Sequence, residues 1–318
     1  MNKHSFWLSR EAFMAFALVV LIAVPVIVLG GGKVIYVDED ASGTEDGSSD
    51  HPYKTISRAL KHAKDGTEVR VRSGEYKENI TIPKEVKVVG NSKDNGKVVI
   101  KADHRDEAVV TMKDDAELFH VTVKNGKHGI RVESDAEVHI YDVHIKDNKK
   151  DGISLRSAPR NKKHQALIDD VKITGNGRSG IYSEKRKVIL INSEISRNGS
   201  DGIDFDPGTE AWVEKNKIND NRGSGAVFTL DGSAIWTKSN SIRNNKREGI
   251  EINGYGTRGD VGIKKATIIG NGNYGVAKVA RTTAGLQNMA NIIFGTEVNA
   301  NRIEGNRAGN ISGVLRGF

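Results

Sequence analysis

Alternation of apolar and polar positions over three to five residues dominates the chain from about residue 120 onward. Gly-Ile-Asp-Phe-Asp at 202–206 and Gly-Ile-Glu-Ile-Asn at 249–253 are two instances. A period of two places alternate side chains on opposite faces, so these segments are expected to be short strands with one buried and one exposed face. One phrase punctuates them. It reads IKDNKKDGI from Ile145, ITGNGRSGI from Ile173, ISRNGSDGI from Ile195, INDNRGSGA from Ile218, IRNNKREGI from Ile242 and IIGNGNYGV from Ile268. A shorter form, VKNGKHGI, starts at Val123, and a degraded copy starts at Ile303 with Asn310 in place of the glycine. The phrase asparagines fall at 125, 148, 176, 198, 221, 245, 271 and 306.

Self-similarity at a spacing in the twenties marks a solenoid, in which each repeat buries its apolar face only against the next. Leucine-rich repeats are excluded because their L-x-x-L-x-L phrase is absent. Helical repeats are excluded because Asn and Gly recur every few residues. What remains is an all-β fold, a parallel β-helix, with the asparagines stacked as an internal ladder and the glycine after each taking a backbone angle that other residues resist. One soluble helix is expected at 55–64, where Ile56, Ala59, Leu60 and Ala63 share a face, Thr55 caps the start and Gly66 ends it. It would cap the open end of the solenoid and block edge pairing.

The phrase and its surroundings resemble right-handed parallel β-helix proteins of the pectin-lyase-like superfamily. The likeness rests on 216–226, 240–250 and the first-coil stretch Tyr36-Val-Asp, 51–56 and 71–78. It spans about 33–315. It implies a carbohydrate-binding or sugar-hydrolase type of β-helix, in a superfamily that holds lyases, hydrolases, epimerases and non-enzymatic binders.

Ahead of the solenoid, residues 12–29 carry no charge and follow Lys3 and Arg10. Eighteen residues in a helix span about 27 Å, close to a bilayer core. The expectation is one transmembrane anchor within 1–32 with a cytoplasmic N-terminus. The alternative is a cleaved signal peptide. Either leaves 33–318 outside the cytoplasm, membrane-bound or secreted.

Composition changes the picture in three places. The absence of cysteine among 318 residues excludes disulfides, thiolate-bound metals and a thiol nucleophile. The net charge of +7 would suit an anionic partner, but acids are interspersed with the bases and aromatics are few, so nucleic acid is excluded as the partner. The nine histidines show no metal-ligand spacing.

Stacking places side chains in columns. Counting from the phrase glycine, the first and third residues point inward: Ile130, Ile153, Ile181, Ile203, Ala226, Ile250, Val276, and Val132, Leu155, Ser183, Phe205, Phe228, Ile252, Lys278. Lys278 should end the register. The outward columns bring Tyr182, Glu184, Asp204 and Asp206 together, with Arg156 on one side and Glu251 on the other. Like charges about 4.8 Å apart repel and should raise a carboxyl pKa. Two insertions would wall this patch: 157–165 with Lys162 and Lys163, and 254–260 with Tyr255 and Arg258.

The expected site therefore has Asp204, Asp206 and Arg156 as catalytic candidates. Tyr182, Glu184, Glu251, Lys162, Lys163, Tyr255 and Arg258 would bind substrate. Glu184, Asp204 and Asp206 could hold Ca²⁺. Arg156 or Arg186 would neutralise a uronate carboxylate. The run Asp204-Phe205-Asp206-Pro207 resembles the start of the Asp-Pro-His-Asp element of alginate epimerases, with Gly208 and Thr209 at the last two places. Three functions follow: a membrane-tethered binder of cell-surface or extracellular polysaccharide; a lyase, epimerase or glycoside hydrolase acting on an acidic glycan; or a structural or adhesive surface protein.

Overall fold

The computed structural model describes residues 32–91, 98–155, 164–254, 259–280, 291–294 and 300–312. The apolar segment at 12–29 lies outside them, and no helix among the described residues is long and apolar enough to cross a membrane. Every strand pairing among the described residues is parallel, beginning with Val34 on Glu68 and ending with Val276 on Ile311. Each repeat contributes one strand to a ten-stranded sheet and further strands to a nineteen-stranded sheet that folds around the rest of the coil. The chain is a parallel β-solenoid, as the alternation and the phrase require.

The two nine-residue strands Ala116–Lys124 and Val138–Lys146 show how one sheet turns a corner. They pair along their whole length, bend at His120 and Asp142, which have positive φ, and each then continues as two separate strands in the neighbouring coil. In later coils the corner falls between strands, as between Glu210–Glu214 and Lys217–Asn219, with Lys215 at φ 58°.

The inward columns are as read from the sequence. Ile130, Ile153, Ile181, Ile203, Ala226, Ile250 and Val276 stand in register and are almost wholly buried. Phe205 and Phe228 lie in adjacent coils with ring centroids 6.0 Å apart. Lys278 does not end the register. It pairs with Ile252, and the ladder continues to Gly254 on Ala280, because main-chain bonds do not depend on the side chain they carry. The cost appears instead at the ammonium, whose pKa burial pushes down.

The asparagine ladder runs unbroken from Asn148 to Asn306. Each Nδ2 donates to the Oδ1 of the next asparagine at 2.8–3.0 Å. The backbone N–H of each donates to the same oxygen at 3.0–3.2 Å. Asn125 is not a rung. The first phrase is one residue short, so Gly126 stands opposite Asn148 and donates its N–H to Asn148 Oδ1 at 2.9 Å, leaving Asn125 in the turn at φ 68°. A second ladder, at another corner, joins Ser193, Asn216 and Asn240.

The phrase glycine has a different reason from the one its place in a turn suggests. The left-handed angle belongs to the residue before each rung: Asp147, Gly175, Arg197, Asp220, Asn244, Gly270 and Gly305. The phrase glycines are absent from that set. A Cβ on Gly202, for example, would lie 2.4 Å from Ile218 Cγ2 and 2.5 Å from the Gly225 carbonyl. Glycine is needed there for close approach.

One helix stands among the described residues, Ile56–His62. Thr55 Oγ1 accepts from Arg58 N–H, and the Glu78 carboxylate accepts from the N–H groups of Ile56 and Ser57 at 2.8 Å. The helix stops at Ala63, which is already extended, so Gly66 is not its terminator. Ile56, Ala59 and Leu60 are buried against the first coil, near Val34–Val37 and Ile80–Ile82.

Candidate functional site

The outward column of the ten-stranded sheet has the expected register: Arg131, Ser154, Tyr182, Asp204, Val227, Glu251, Ala277. Over the coils at 203–253 this face is not a solvated surface. Val227 is 8% exposed, Thr229 4%, Glu251 3% and Asn253 1%. These residues, with Asp201, Asp204, Asp206, Pro207 and Arg247, line a cleft of about 290 Å³.

Asp204 is held on Ile203–Phe205, whose terminal residues Ile203 and Phe205 are anchored in the core. Alternation leaves its carboxyl no choice but the outer face. Burial pushes its pKa up to about 7, and the charges of Asp206, Asp201, Asp151 and Glu251 add to the rise. Asp206, just beyond the strand, accepts a 2.8 Å hydrogen bond from the Tyr182 hydroxyl. Burial, then that bond, raise the tyrosine's own pKa. Tyr182 thus reaches the site through Asp206 and is not itself a wall of the cleft.

Glu251 enters from Ile250–Gly254, and its Oε2 accepts from Ser224 Oγ at 3.2 Å. Arg247 sits above it, with Nη2 3.4 Å from Glu251 and Nε 3.5 Å from Glu248. The residues just before the phrase glycines make a further stripe along this edge: Asp151, Ser179, Asp201, Ser224 and Glu248. The Ser179 N–H donates to Asp151 and the Ser224 N–H to Asp201, while Ser224 Oγ lies 3.3 Å from Glu248. Corner serines therefore space the acids of the stripe.

Several expected members are not part of this cleft. Glu184 points toward Lys185, whose Nζ is 3.1 Å from it, and does not line the cleft. Among the described residues no three His, Asp or Glu side chains are gathered to hold a metal ion. Glu184, Asp204 and Asp206 are not gathered into one cluster: Glu184 pairs with Lys185, and Asp206 accepts from Tyr182. Arg186 is fully buried and donates to the carbonyls of Glu133, Ser134 and Ala136, so it braces a turn two coils away and cannot neutralise a ligand. Burial lowers its pKa to about 10. Arg156, Lys162, Lys163, Tyr255 and Arg258 lie outside the described residues.

Asp201, Arg247 and Asn253 belong to the cleft without being expected there. Asn253 is legible in the sequence as the last member of an outward column. Asp201 and Arg247 lie in turns, where alternation says nothing about direction.

Asp204 has a consequence for stability. Between about pH 4 and about pH 7 the folded chain keeps a proton that the unfolded chain has released. Stability therefore falls as pH rises through that window. Asp204→Asn removes the dependence. The variant is expected to be more stable than the wild type above pH 7 by on the order of 2 kcal/mol, a figure discounted because the cleft opens to water, and to converge with it near pH 4. Melting temperatures across the range check this; parallel curves for the two proteins would refute it.

The fold and cleft can be set beside known proteins. No curated protein matches the sequence. Among solved structures, the A-module of the mannuronan C-5 epimerase AlgE4 of Azotobacter vinelandii is 14% identical, with a TM-score of 0.52, covering 87% of this chain and 97% of that one. Pectate lyase Pel9A is 13% identical, with a TM-score of 0.54, covering 88% and 82%. XylC in complex with xylose is 12% identical, with a TM-score of 0.55, covering 77% and 68%. At these identities the likeness is one of fold. Residues 128–289, half of the chain, match a family described as the right handed beta helix region. The span takes in the ladder from Asn148 to Asn271, the apolar columns and the acidic cleft, and the chain belongs to that right-handed β-helix family.

Proposed function

We propose that this protein is a polysaccharide-binding β-helix held at the outer side of the cytoplasmic membrane by its N-terminal apolar segment, with the cleft around Asp204, Asp206, Glu251 and Asn253 as its glycan site. The observation that carries the reading is the cleft itself, a polar groove of about 290 Å³ set into the outer face of the ten-stranded sheet. Rigid strands hold its side chains, and hydroxyl-rich ligands suit a floor of carboxyl and amide groups. The epimerase and lyase with the same fold are named for polysaccharide substrates, which agrees with this use of the scaffold. The 18-residue charge-free run at 12–29 supports the tether.

Full-length protein should stay with membranes through carbonate extraction. The purified protein should be retained by at least one of a panel of neutral, amino and uronate oligosaccharides, and Asp206→Asn with Glu251→Gln should abolish retention. Retention of none would refute the glycan site, and release by carbonate would refute the tether.

A second reading, catalysis, is favoured by Asp204 alone. A carboxyl that titrates near 7 beside a second carboxyl is suited to act as a general acid or base at neutral pH. Turnover by the wild type that Asp204→Asn lacks would establish it.

A further inference from the structure

The chemistry of the cleft is one-sided. Among the described residues, four acidic side chains line it, Asp201, Asp204, Asp206 and Glu251, against the single cation Arg247, which already lies between Glu248 and Glu251. A second observation, independent of charge, concerns Asn253. Its side chain is 1% exposed and lines the same cleft, yet its Oδ1 has no hydrogen-bond partner. In the asparagine ladder, by contrast, every side-chain oxygen from Asn148 to Asn306 accepts a bond. A buried acceptor without a donor is costly, and such groups in folded proteins are ordinarily satisfied. The missing partner at Asn253 is a donor.

We infer that the cleft receives the protonated amine of a hexosamine, so that the glycan bound is one with free amino groups and not a uronate. The inference rests on the polysaccharide reading above and narrows it. An ammonium brings three donors and a positive charge. It can donate to Asn253 Oδ1 while standing among the carboxyls, where charge-assisted bonds are strong. A uronate brings a carboxylate into a site whose lining cation is already between two glutamates. It would add like charge, and its carboxylate, which only accepts, cannot donate to Asn253 Oδ1. An N-acetylated sugar supplies one amide N–H and no charge. General attraction of cations does not account for such binding, because the whole chain carries +7; the selectivity is local to the cleft.

The test is calorimetric titration of the full-length protein in detergent, at mildly acidic pH where the amines are charged. The ligands are a glucosamine pentamer, its N-acetylated counterpart, a galacturonate pentamer and, as a charge-matched control, a lysine pentamer. The glucosamine pentamer is expected to bind at least about tenfold more tightly than each of the other three. Asp206→Asn and Asn253→Leu, each checked for an unchanged circular dichroism spectrum, are expected to weaken it about tenfold. Asp206→Asn keeps the shape of the side chain, so it remains informative if the leucine variant fails to fold.

Equal or tighter binding of the N-acetylated or galacturonate pentamer, lost in Asp206→Asn, would overturn the amine and leave the polysaccharide site standing. Equal binding of the lysine pentamer would overturn the sugar specificity. Glucosamine binding indifferent to Asp206→Asn would place the ligand elsewhere and overturn the inference. Binding of no glycan would remove this inference together with the function it rests on.

Discussion

Asn221→Leu is expected to destabilise the solenoid by about 3–5 kcal/mol, because it leaves several buried polar groups without partners at about 1–3 kcal/mol each. Asn221 Oδ1 accepts both from the Asn198 N–H and from Asn198 Nδ2, at 3.0 Å each. Its own Nδ2 donates to Asn245 Oδ1 at 3.0 Å and to the Ile195 carbonyl at 3.2 Å. Leucine removes all four bonds while nearly keeping the volume. Asn198 is left with a buried N–H and amide to satisfy, and the Ile195 carbonyl loses its side-chain donor. Water cannot substitute, because Asn198 and Asn221 are 0% exposed. The same change at Asn306 should cost less. That residue is the last rung of the ladder and is itself 8% exposed, so no further rung loses a donor. Chemical denaturation of both variants checks the difference; equal losses would show that the amides do not act as a ladder.

Gly225→Ala is expected to cost about 3 kcal/mol, far beyond an ordinary glycine replacement, because overpacking a rigid interior is costly. The added Cβ would stand 2.4 Å from Ile242 Cγ2, 2.7 Å from the Gly249 carbonyl and 2.8 Å from Asn245 Nδ2. All three belong to the next coil, so the methyl must either push the coils apart or displace a rung. Gly232→Ala provides the contrast. Gly232 has φ +70°, and a Cβ there would meet nothing within 4 Å, so only the backbone angle is penalised, by about 1 kcal/mol. If the two substitutions shift the melting temperature equally, the close approach of the coils at the phrase glycine is refuted.

The two substitutions also separate what a repeat shows in sequence from what it does. Recurrence marks the phrase glycine as indispensable, and its place in a turn suggests φ as the reason. The structure assigns the unusual φ to the preceding corner, where Asp147, Arg197, Asp220 and Asn244 adopt it without being glycine. Sequence can show that a small residue recurs. Whether the reason is an angle or a neighbour in the next coil depends on how closely the coils are stacked. Asn125 makes the same point: a one-residue shortening of its turn moves it off the ladder and lets Gly126 donate in its place.

In the site, counting along the columns places Tyr182, Asp204 and Glu251 on one face, and the raised pKa of Asp204 follows from burial together with that crowding of acids. The same counting puts Glu184 with them; it pairs with Lys185 and does not line the cleft.

Residue spacing alone establishes the parallel β-helix and the inward and outward columns from Ile130 to Val276, though not where the register ends or which asparagine begins the ladder. Strand alternation and coil stacking are fixed distances, about 4.8 Å between neighbouring strands, so counting residues is enough. Which outward side chains share a cleft follows from the folded chain and not from the count. That Asp201 and Arg247 swing in from turns, that Arg186 is spent on bracing carbonyls and that Asn253 keeps an unanswered acceptor depend on side-chain rotamers and on the path of the turns. Neither is periodic, so neither leaves a mark in the spacing of residues along the chain.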